Sequence, residues 1–355
     1  MNLHIILNEK FTEKFIWLID SMYLPESNII YVYGDGNFVK SASANIKLVK
    51  NLNSEVDLSL MKNSDKLFIH GFYSSAVLHF LFRNLTRIKK SQLVLIIWGA
   101  DLYNSHFEYL KNPWSFKSIR HEIGKSIIIR HAKWFMTFAY ADYNYARKWY
   151  GANGQQFDCL YPTNFNIEFL DEISLENKSN CKCKRILIGQ SASETNKHIE
   201  ILNTLKKYKN ESFEIICPLS YGDKVYGKSI AEYGEKVFGD RFIPIFDYLT
   251  PADYARLLNS VHVAVFNFNR QQGTGNIEIL GYLGKKIYIR SDTTLWEHYV
   301  CRDKCRFNDT LTIGDSTFED FVYSNPDDTK INKAYFKKIW DIDYIKSLWD
   351  KVMNA

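Results

Sequence analysis

The ten residues Asn267-Phe268-Asn269-Arg270-Gln271-Gln272-Gly273-Thr274-Gly275-Asn276 combine two glycines, a fixed cation and a row of amides. Such a stretch suits an anion. Glycines let backbone N–H groups approach a phosphate closely, and an arginine adds a donor fork that keeps its charge. An apolar run, Val261–Phe268, leads in, and Ile277-Glu278-Ile279-Leu280-Gly281-Tyr282-Leu283 leaves with helical spacing. Strand, polar glycine loop and helix therefore follow one another. That order aims unpaired N–H groups and the positive end of a helix dipole into the loop. The expected chemistry is a grip on the diphosphate of a nucleotide-linked donor, through Arg270, Gln271, Gln272, Gly273, Thr274, Gly275 and Asn276. The competing reading is a tight strand-to-helix connection with two turn glycines.

Four other loops are also polar. Gly189-Gln190-Ser191-Ala192-Ser193-Glu194-Thr195-Asn196-Lys197-His198 is a second glycine-led loop opening a helix, suited to another face of the diphosphate through Gly189, Ser191, Asn196 and His198. Tyr221, after Cys217-Pro218, offers a ring to stack on a base or sugar. In the first half, His70-Gly71 and Gly99-Ala100-Asp101 each follow an apolar run. A general base must reach the attacking hydroxyl, and partial burial beside Trp98 would raise the Asp101 carboxyl toward a useful range. Asp101 is the first expectation for that role and His70 the second; a strand-end aspartate that caps the next helix is the alternative.

The elements that would position these loops alternate between strand and helix twice over. His4–Leu7, Ile29–Tyr33, Lys66–His70, Leu93–Trp98 and Trp134–Phe138 read as buried strands in the first half. In the second, Arg185–Gly189, Phe213–Pro218, Phe242–Ile245, Val261–Phe268 and Lys286–Ile289 do so. Helical patterns at His198–Lys209, Lys228–Phe238, Pro251–Ser260 and Ile277–Leu283 lie between them. This alternation implies an α/β fold with two doubly wound, mainly parallel, Rossmann-like sheets facing a cleft, where loops after strands carry the chemistry. The expected division is an acceptor domain over 1–165, a linker over 166–184, a nucleotide-sugar domain over 185–325, and a helical segment over 326–355 that packs back on the first domain.

Composition narrows the class. The chain has 355 residues and a net charge of +5, but Arg83 to Lys148 holds twelve Lys/Arg against four Asp/Glu, leaving the remainder at −3. Between Trp114 and Trp134, Ile119, Ile123 and Ile127 recur every fourth residue among Lys117, Arg120, Lys125 and Arg130. A basic helix with aromatic edges suits an anionic membrane surface, and an ordinary core helix with a solvated face is the alternative. No apolar run reaches a membrane span, the first residues read as a strand rather than a signal peptide, and no nucleic-acid motif is present. Six cysteines without paired CxxC units point to reduced thiols in a cytoplasm.

Ile97-Trp98-Gly99-Ala100-Asp101-Leu102-Tyr103 and Arg270-Gln271-Gln272-Gly273-x-Gly275 resemble the two strongest signatures of bacterial 4-acetamido-4,6-dideoxygalactose (Fuc4NAc) transferases, glycosyltransferase family 56. His70-Gly71, Leu160-Tyr161-Pro162-Thr163, Gly189-x-Ser191 with Asn196 and His198, and Pro218 with Tyr221 match in order. The resemblance spans roughly residues 65 to 290. It implies a GT-B enzyme with a dTDP-sugar donor in the C-terminal domain. It also implies an undecaprenyl-diphosphate-linked saccharide acceptor against the N-terminal one, at the cytoplasmic face of the inner membrane, as in enterobacterial common antigen or O-antigen synthesis. Catalysis without a metal cofactor is implied too, since the sole Asp-x-Asp, Asp341-Ile342-Asp343, is far from the glycine loops in sequence. Glu278 departs from the family pattern; by analogy with other GT-B enzymes it would hold the ribose hydroxyls. A nucleotide-sugar-binding subunit without transferase activity, and a UDP-sugar epimerase, are the alternatives.

Overall fold

A computed structural model of the chain describes residues 1–175 and 183–355. Two compact units emerge: Met1–Asn164 with Ile339–Ala355, and Phe165–Lys338. The first is built on seven strands: β1 (Asn2–Leu7), β2 (Asn28–Tyr33), β3 (Ile46–Val49), β4 (Leu67–His70), β5 (Leu93–Ile97), β6 (Trp134–Thr137) and β7 (Gln155–Asp158). They lie in the order β3-β2-β1-β4-β5-β6-β7, every neighbouring pair parallel. Alternate side chains feed two cores. Leu67 and Ile69 of β4 join Leu3, Ile5, Leu93 and Leu95 on one face, while Phe68 joins Ile6, Val94, Ile96 and Trp349 on the other. Burial on both faces is why these strands read as continuous apolar runs.

The second unit repeats the plan with β8 (Lys184–Ile188), β9 (Phe213–Pro218), β10 (Phe242–Ile245), β11 (Val263–Phe266), β12 (Lys286–Ile289) and β13 (Asn308–Asp309). Their order is β10-β9-β8-β11-β12-β13, again all parallel. Strand order therefore reverses between β1 and β4 in one sheet and between β8 and β11 in the other. At such a switch point two neighbouring loops diverge to opposite faces and leave a crevice at the carboxyl ends of the strands.

Some details differ from the sequence expectations. The three strands not anticipated, β3, β7 and β13, are edge strands; β7 reads Gln-Gln-Phe-Asp and has no fully buried residue. The stretch expected as a linker contains a helix, Ile167–Leu175, that buries Leu170 and Ile173 in the second unit; the rest of it, 176–182, lies outside the described residues. Helix Pro326–Ile339 also belongs to the second unit up to Lys338, so only the last helix, Ile342–Met353, returns to the first. It docks through Ile345, Leu348, Trp349 and Val352, and the Trp349 indole N–H donates to the Leu160 carbonyl at 2.8 Å. Asp341, of the Asp-x-Asp pair, is the N-cap of that helix and accepts from the Tyr344 N–H.

Candidate functional site

The switch point of the second sheet joins the two glycine loops. Asn267–Gly273 follows β11 and Gly189–Lys197 follows β8. The Asn269 N–H donates to the Thr195 carbonyl at 3.2 Å, and the Thr195 hydroxyl donates to Gln272 Oε1 at 2.7 Å. The same oxygen accepts from Arg270 Nε at 2.9 Å, so the Gln272 amide aims the guanidinium. Gly273 caps the helix Thr274–Tyr282 with φ +66°, and a Cβ there would lie 2.8 Å from the Phe268 ring. Only glycine satisfies both demands.

Around this frame, some buried polar atoms lack a partner among the described residues. Gln271 is buried with Oε1 unbonded, and Gln272 Nε2 and Asn269 Oδ1 are likewise unbonded. Leaving such atoms unpaired costs about 1–3 kcal/mol each, so their concentration beside a helix N-terminus and an arginine marks a place built for a polar ligand. Thr274, Gly275 and Asn276 form the half-buried first turn of that helix. Glu278 is half-buried one turn further along, and its charge helps to raise the buried Tyr299 phenol.

In the second loop the expected residues divide by role. Asn196 is fully buried and spends its side chain on the loop: Oδ1 accepts from the Gln190 N–H, and Nδ2 donates to the Ser191 and Ser193 carbonyls. These bonds shape the loop. Ser191 is buried with it. Gly189, at φ +67°, lets His198 pack so closely that a Cβ would lie 2.5 Å from its Nε2. His198 is buried too, which lowers its pKa to about 4, and Nδ1 lies 3.2 Å from the Tyr226 hydroxyl. Tyr221 is half exposed, with its hydroxyl on Gln190 Oε1 at 2.7 Å, leaving a ring face to solvent.

The first unit brings its motif residues into one buried network. Asp101 is wholly buried; one carboxylate oxygen accepts from the Phe72 N–H and the other from the Trp98 N–H at 2.5 Å. Burial lifts its pKa to about 6, against those two N–H groups and Lys125, which pull it down. His70 is also wholly buried, with both ring nitrogens engaged: Nε2 lies 3.1 Å from His4 Nδ1, and Nδ1 lies 2.7 Å from the Tyr161 hydroxyl. The direction of this chain follows from its ends. Asn28 Oδ1 takes the His4 Nε2–H at 3.2 Å, so His70 donates to His4, Tyr161 donates to His70, and Trp98 Nε1–H donates to Tyr161 at 3.2 Å. Burial, reinforced by His4, holds His70 well below the usual imidazole range.

Asp101 and His70, the two residues expected to act on the acceptor hydroxyl, are thus both engaged by protein groups in this buried network. Asp101 ties the loops after β4 and β5 together, and His70 fixes the Trp98 ring through Tyr161. Gly71 sits where a Cβ would lie 2.9 Å from that ring. The helix Phe116–His131 brings another change. Its apolar positions Phe116, Ile123 and Ile127 face solvent, with Trp114 90% exposed beside them, while Ile128 and Ile129 turn inward. Lys125 is buried, donating to the Asp101 carbonyl and the Ser105 hydroxyl, so it is not part of any basic surface.

The profile of glycosyl transferase group 56, described as 4-alpha-L-fucosyltransferase, matches residues 43–307. The chain belongs to this family. It is a glycosyltransferase with the GT-B fold. HepE from Anabaena, solved in complex with UDP, superposes with a TM-score of 0.67 at 10% identity over 100% of both chains. The sucrose-phosphate synthase of Thermosynechococcus elongatus gives 0.67 at 8% identity over 100% of this chain and 98% of its own. A Rickettsia africae glycosyltransferase gives 0.64 at 10% identity over 99% and 97%. At these identities the likeness is one of fold. The family signatures Trp98-Gly99-x-Asp101, His70-Gly71 and Tyr161 are the members of the single network in the first unit, and Arg270-Gln271-Gln272-Gly273 is the loop with unpartnered amides in the second.

Proposed function

We propose that this glycosyltransferase moves a 4-acetamido-4,6-dideoxyhexose, Fuc4NAc or a close analogue, from a dTDP-sugar to an undecaprenyl-diphosphate-linked saccharide in surface polysaccharide synthesis. The observation that carries the donor side is the set of buried, unpartnered Gln271, Gln272 and Asn269 amide atoms beside Arg270 and the Gly273-capped helix. The Gln272 Nε2 donor suits a phosphate oxygen, while the Gln271 and Asn269 amide oxygens accept from hydroxyl or N–H groups of the donor's sugars and base. Arg270 and the first-turn N–H groups then stabilise the charge that builds on the leaving diphosphate, so no metal ion is called for in the reaction. The half-exposed ring of Tyr221 stacks on the base or sugar, and Glu278 is assigned to the 3′-hydroxyl of the deoxyribose. A UDP complex of a protein with this fold supports a nucleoside-diphosphate donor, and the family description, naming a fucosyl group, supports a 6-deoxyhexose.

The acceptor belongs to the first domain. Its lipid portion is consistent with peripheral contact of the Phe116–His131 helix with an anionic inner-membrane surface, because Trp114, Phe116, Ile123 and Ile127 present an exposed apolar row flanked by Lys117 and Arg120. No helix among the described residues is long and apolar enough to cross a membrane. The test is thermal denaturation with dTDP, UDP and GDP. Ligand at about 100 times its Kd stabilises by about 2.7 kcal/mol. The reading expects the largest upward shift with dTDP, reduced in Arg270→Gln. Equal, negligible shifts with all three would sink it.

A further inference from the structure

We infer that Glu9, held by Tyr73, is the carboxylate that accepts the proton of the acceptor hydroxyl during glycosyl transfer. This rests on the assignment of the acceptor to the first domain. The switch point of the first sheet lies between β1 and β4, so the loops that flank its crevice are Asn8–Phe11 and Gly71–Ser74. Glu9 and Tyr73 occupy these two loops and meet: the Tyr73 hydroxyl donates to Glu9 Oε1 at 2.7 Å. The arrangement parallels the second sheet, where Thr195 and Gln272 join the two loops of its switch point.

Elimination points the same way. Of the carboxylates near the carboxyl ends of these strands, Asp101 is buried and binds two backbone N–H groups. Asp142 is buried and accepts from the Tyr103 hydroxyl at 2.6 Å. Glu55 accepts from the Lys50 and Asn51 N–H groups beside the edge strand β3. Asp35 is exposed in the loop after β2, one strand away from the switch point, and Asp158 ends the edge strand β7, three strands away on the other side. Glu9 alone combines a place at the crevice, partial exposure and one oxygen, Oε2, that bonds no other described residue.

Its loop is also fixed before any substrate arrives. Asn8 is buried, accepting from the Val39 N–H at 2.9 Å and donating to the Val39 carbonyl at 3.1 Å. The Glu9 N–H donates to the Thr12 hydroxyl at 3.1 Å. Phe11 and Tyr73 lie 6.2 and 6.5 Å from the Trp98 ring, centroid to centroid, and all three are half-buried. A carboxylate set among aromatic faces suits a saccharide, whose ring stacks while a hydroxyl is oriented. The network through Asp101, His70 and Tyr161 gains a purpose here, since it holds the Trp98 wall and the backbone of the Tyr73 loop.

In the step itself the acceptor O–H bond breaks and its proton passes to Glu9 Oε2. The acceptor oxygen bonds to the donor anomeric carbon, and the bond from that carbon to the diphosphate oxygen breaks, its electron pair leaving with the nucleoside diphosphate. The test compares wild type, Glu9→Gln and Tyr73→Phe, with dTDP-4-acetamido-4,6-dideoxygalactose as donor and a panel of farnesyl-diphosphate-linked mono- and disaccharides as acceptors. Glu9→Gln should lower kcat by roughly 10²–10⁴-fold, the usual contribution of a general base. Its dTDP affinity and melting temperature should stay at the wild-type values, and Tyr73→Phe should lose less turnover. A folded Glu9→Gln within about threefold of wild-type kcat overturns the inference while leaving the transferase reading intact. A wild type that binds dTDP yet turns over no donor with any acceptor or water overturns both.

Discussion

Replacing Asp101 by asparagine separates a structural tie from a proton acceptor. The carboxylate takes two backbone N–H bonds, from Phe72 and Trp98, in a fully buried position. An asparagine keeps one acceptor and turns an N–H₂ toward the other donor. Losing a bond to a charged group costs about 1.5–3 kcal/mol, and the stranded N–H about 1–3 more. Against this stands the cost of the buried charge. Burial raises the Asp101 pKa from 3.8 to about 6, and at about 1.36 kcal/mol per pKa unit that is about 3 kcal/mol of destabilisation at pH 7.5. That figure is already net of the two N–H bonds to the carboxylate, so only the stranded N–H stands against it, and Asp101→Asn should lie close to wild type in stability at pH 7.5. Acid breaks the balance. A carboxyl whose folded pKa is raised is fully relieved below its unfolded pKa and most costly above its folded one, so wild type recovers on the order of 1 kcal/mol from this group between pH 7.5 and 5, and asparagine recovers none. Urea unfolding followed by tryptophan fluorescence at both pH values measures the gap. It should widen at pH 5, while kcat falls roughly tenfold through loosened loops. A gap that stays constant, joined to a kcat loss beyond about 10³-fold, would return Asp101 to the role of base.

Acid should weaken the whole protein through its buried histidines. Burial lowers His4 and His198 to about 4 and His298 to about 3, so the stability they contribute is complete above pH 6.5 and lost as pH falls toward those values. At pH 5 each costs about 2 kcal/mol, and His4→Gln should recover about that much of the acid loss; urea midpoints that do not move between pH 7.5 and 5 would contradict this. Gly273→Ala should abolish stabilisation by dTDP, because its Cβ meets the Phe268 ring at 2.8 Å. Gly284→Ala, with the same sign of φ but a nearest neighbour at 3.5 Å, should cost about 1 kcal/mol and leave binding intact, as thermal shifts with dTDP will report. In vesicle sedimentation, Lys117→Glu with Arg120→Glu should reduce pelleting with anionic lipid more than tenfold, at about 1 kcal/mol per basic residue. Pelleting equal to wild type, or equal on neutral vesicles, would remove the membrane assignment.

Much of this protein was legible in its residues taken in order. Strands buried on both faces must be continuously apolar, so the central strands of both sheets stood out, and the strand–loop–helix order around Arg270-Gln271-Gln272-Gly273 was legible from the apolar run before it and the helical spacing after it. Edge strands such as Gln155–Asp158 did not stand out, because half their surface meets water and the apolar signal is lost. What only tertiary structure decided is which polar side chains remain available. Asp101, His70, Asn196 and Lys125 look reactive in sequence, yet each is buried with polar atoms taken up by protein groups, within its own loop for Asn196 and 20 to 91 residues away for Phe72 N–H on Asp101, Tyr161 on His70 and the partners of Lys125. Glu9 sits in an unremarkable stretch and acquires meaning because parallel topology sets β1 beside β4, placing it against Tyr73, sixty-four residues on. Hydrogen bonding at long sequence separation leaves no periodicity to read, and it is what sorts the groups that hold the site from those that face a substrate.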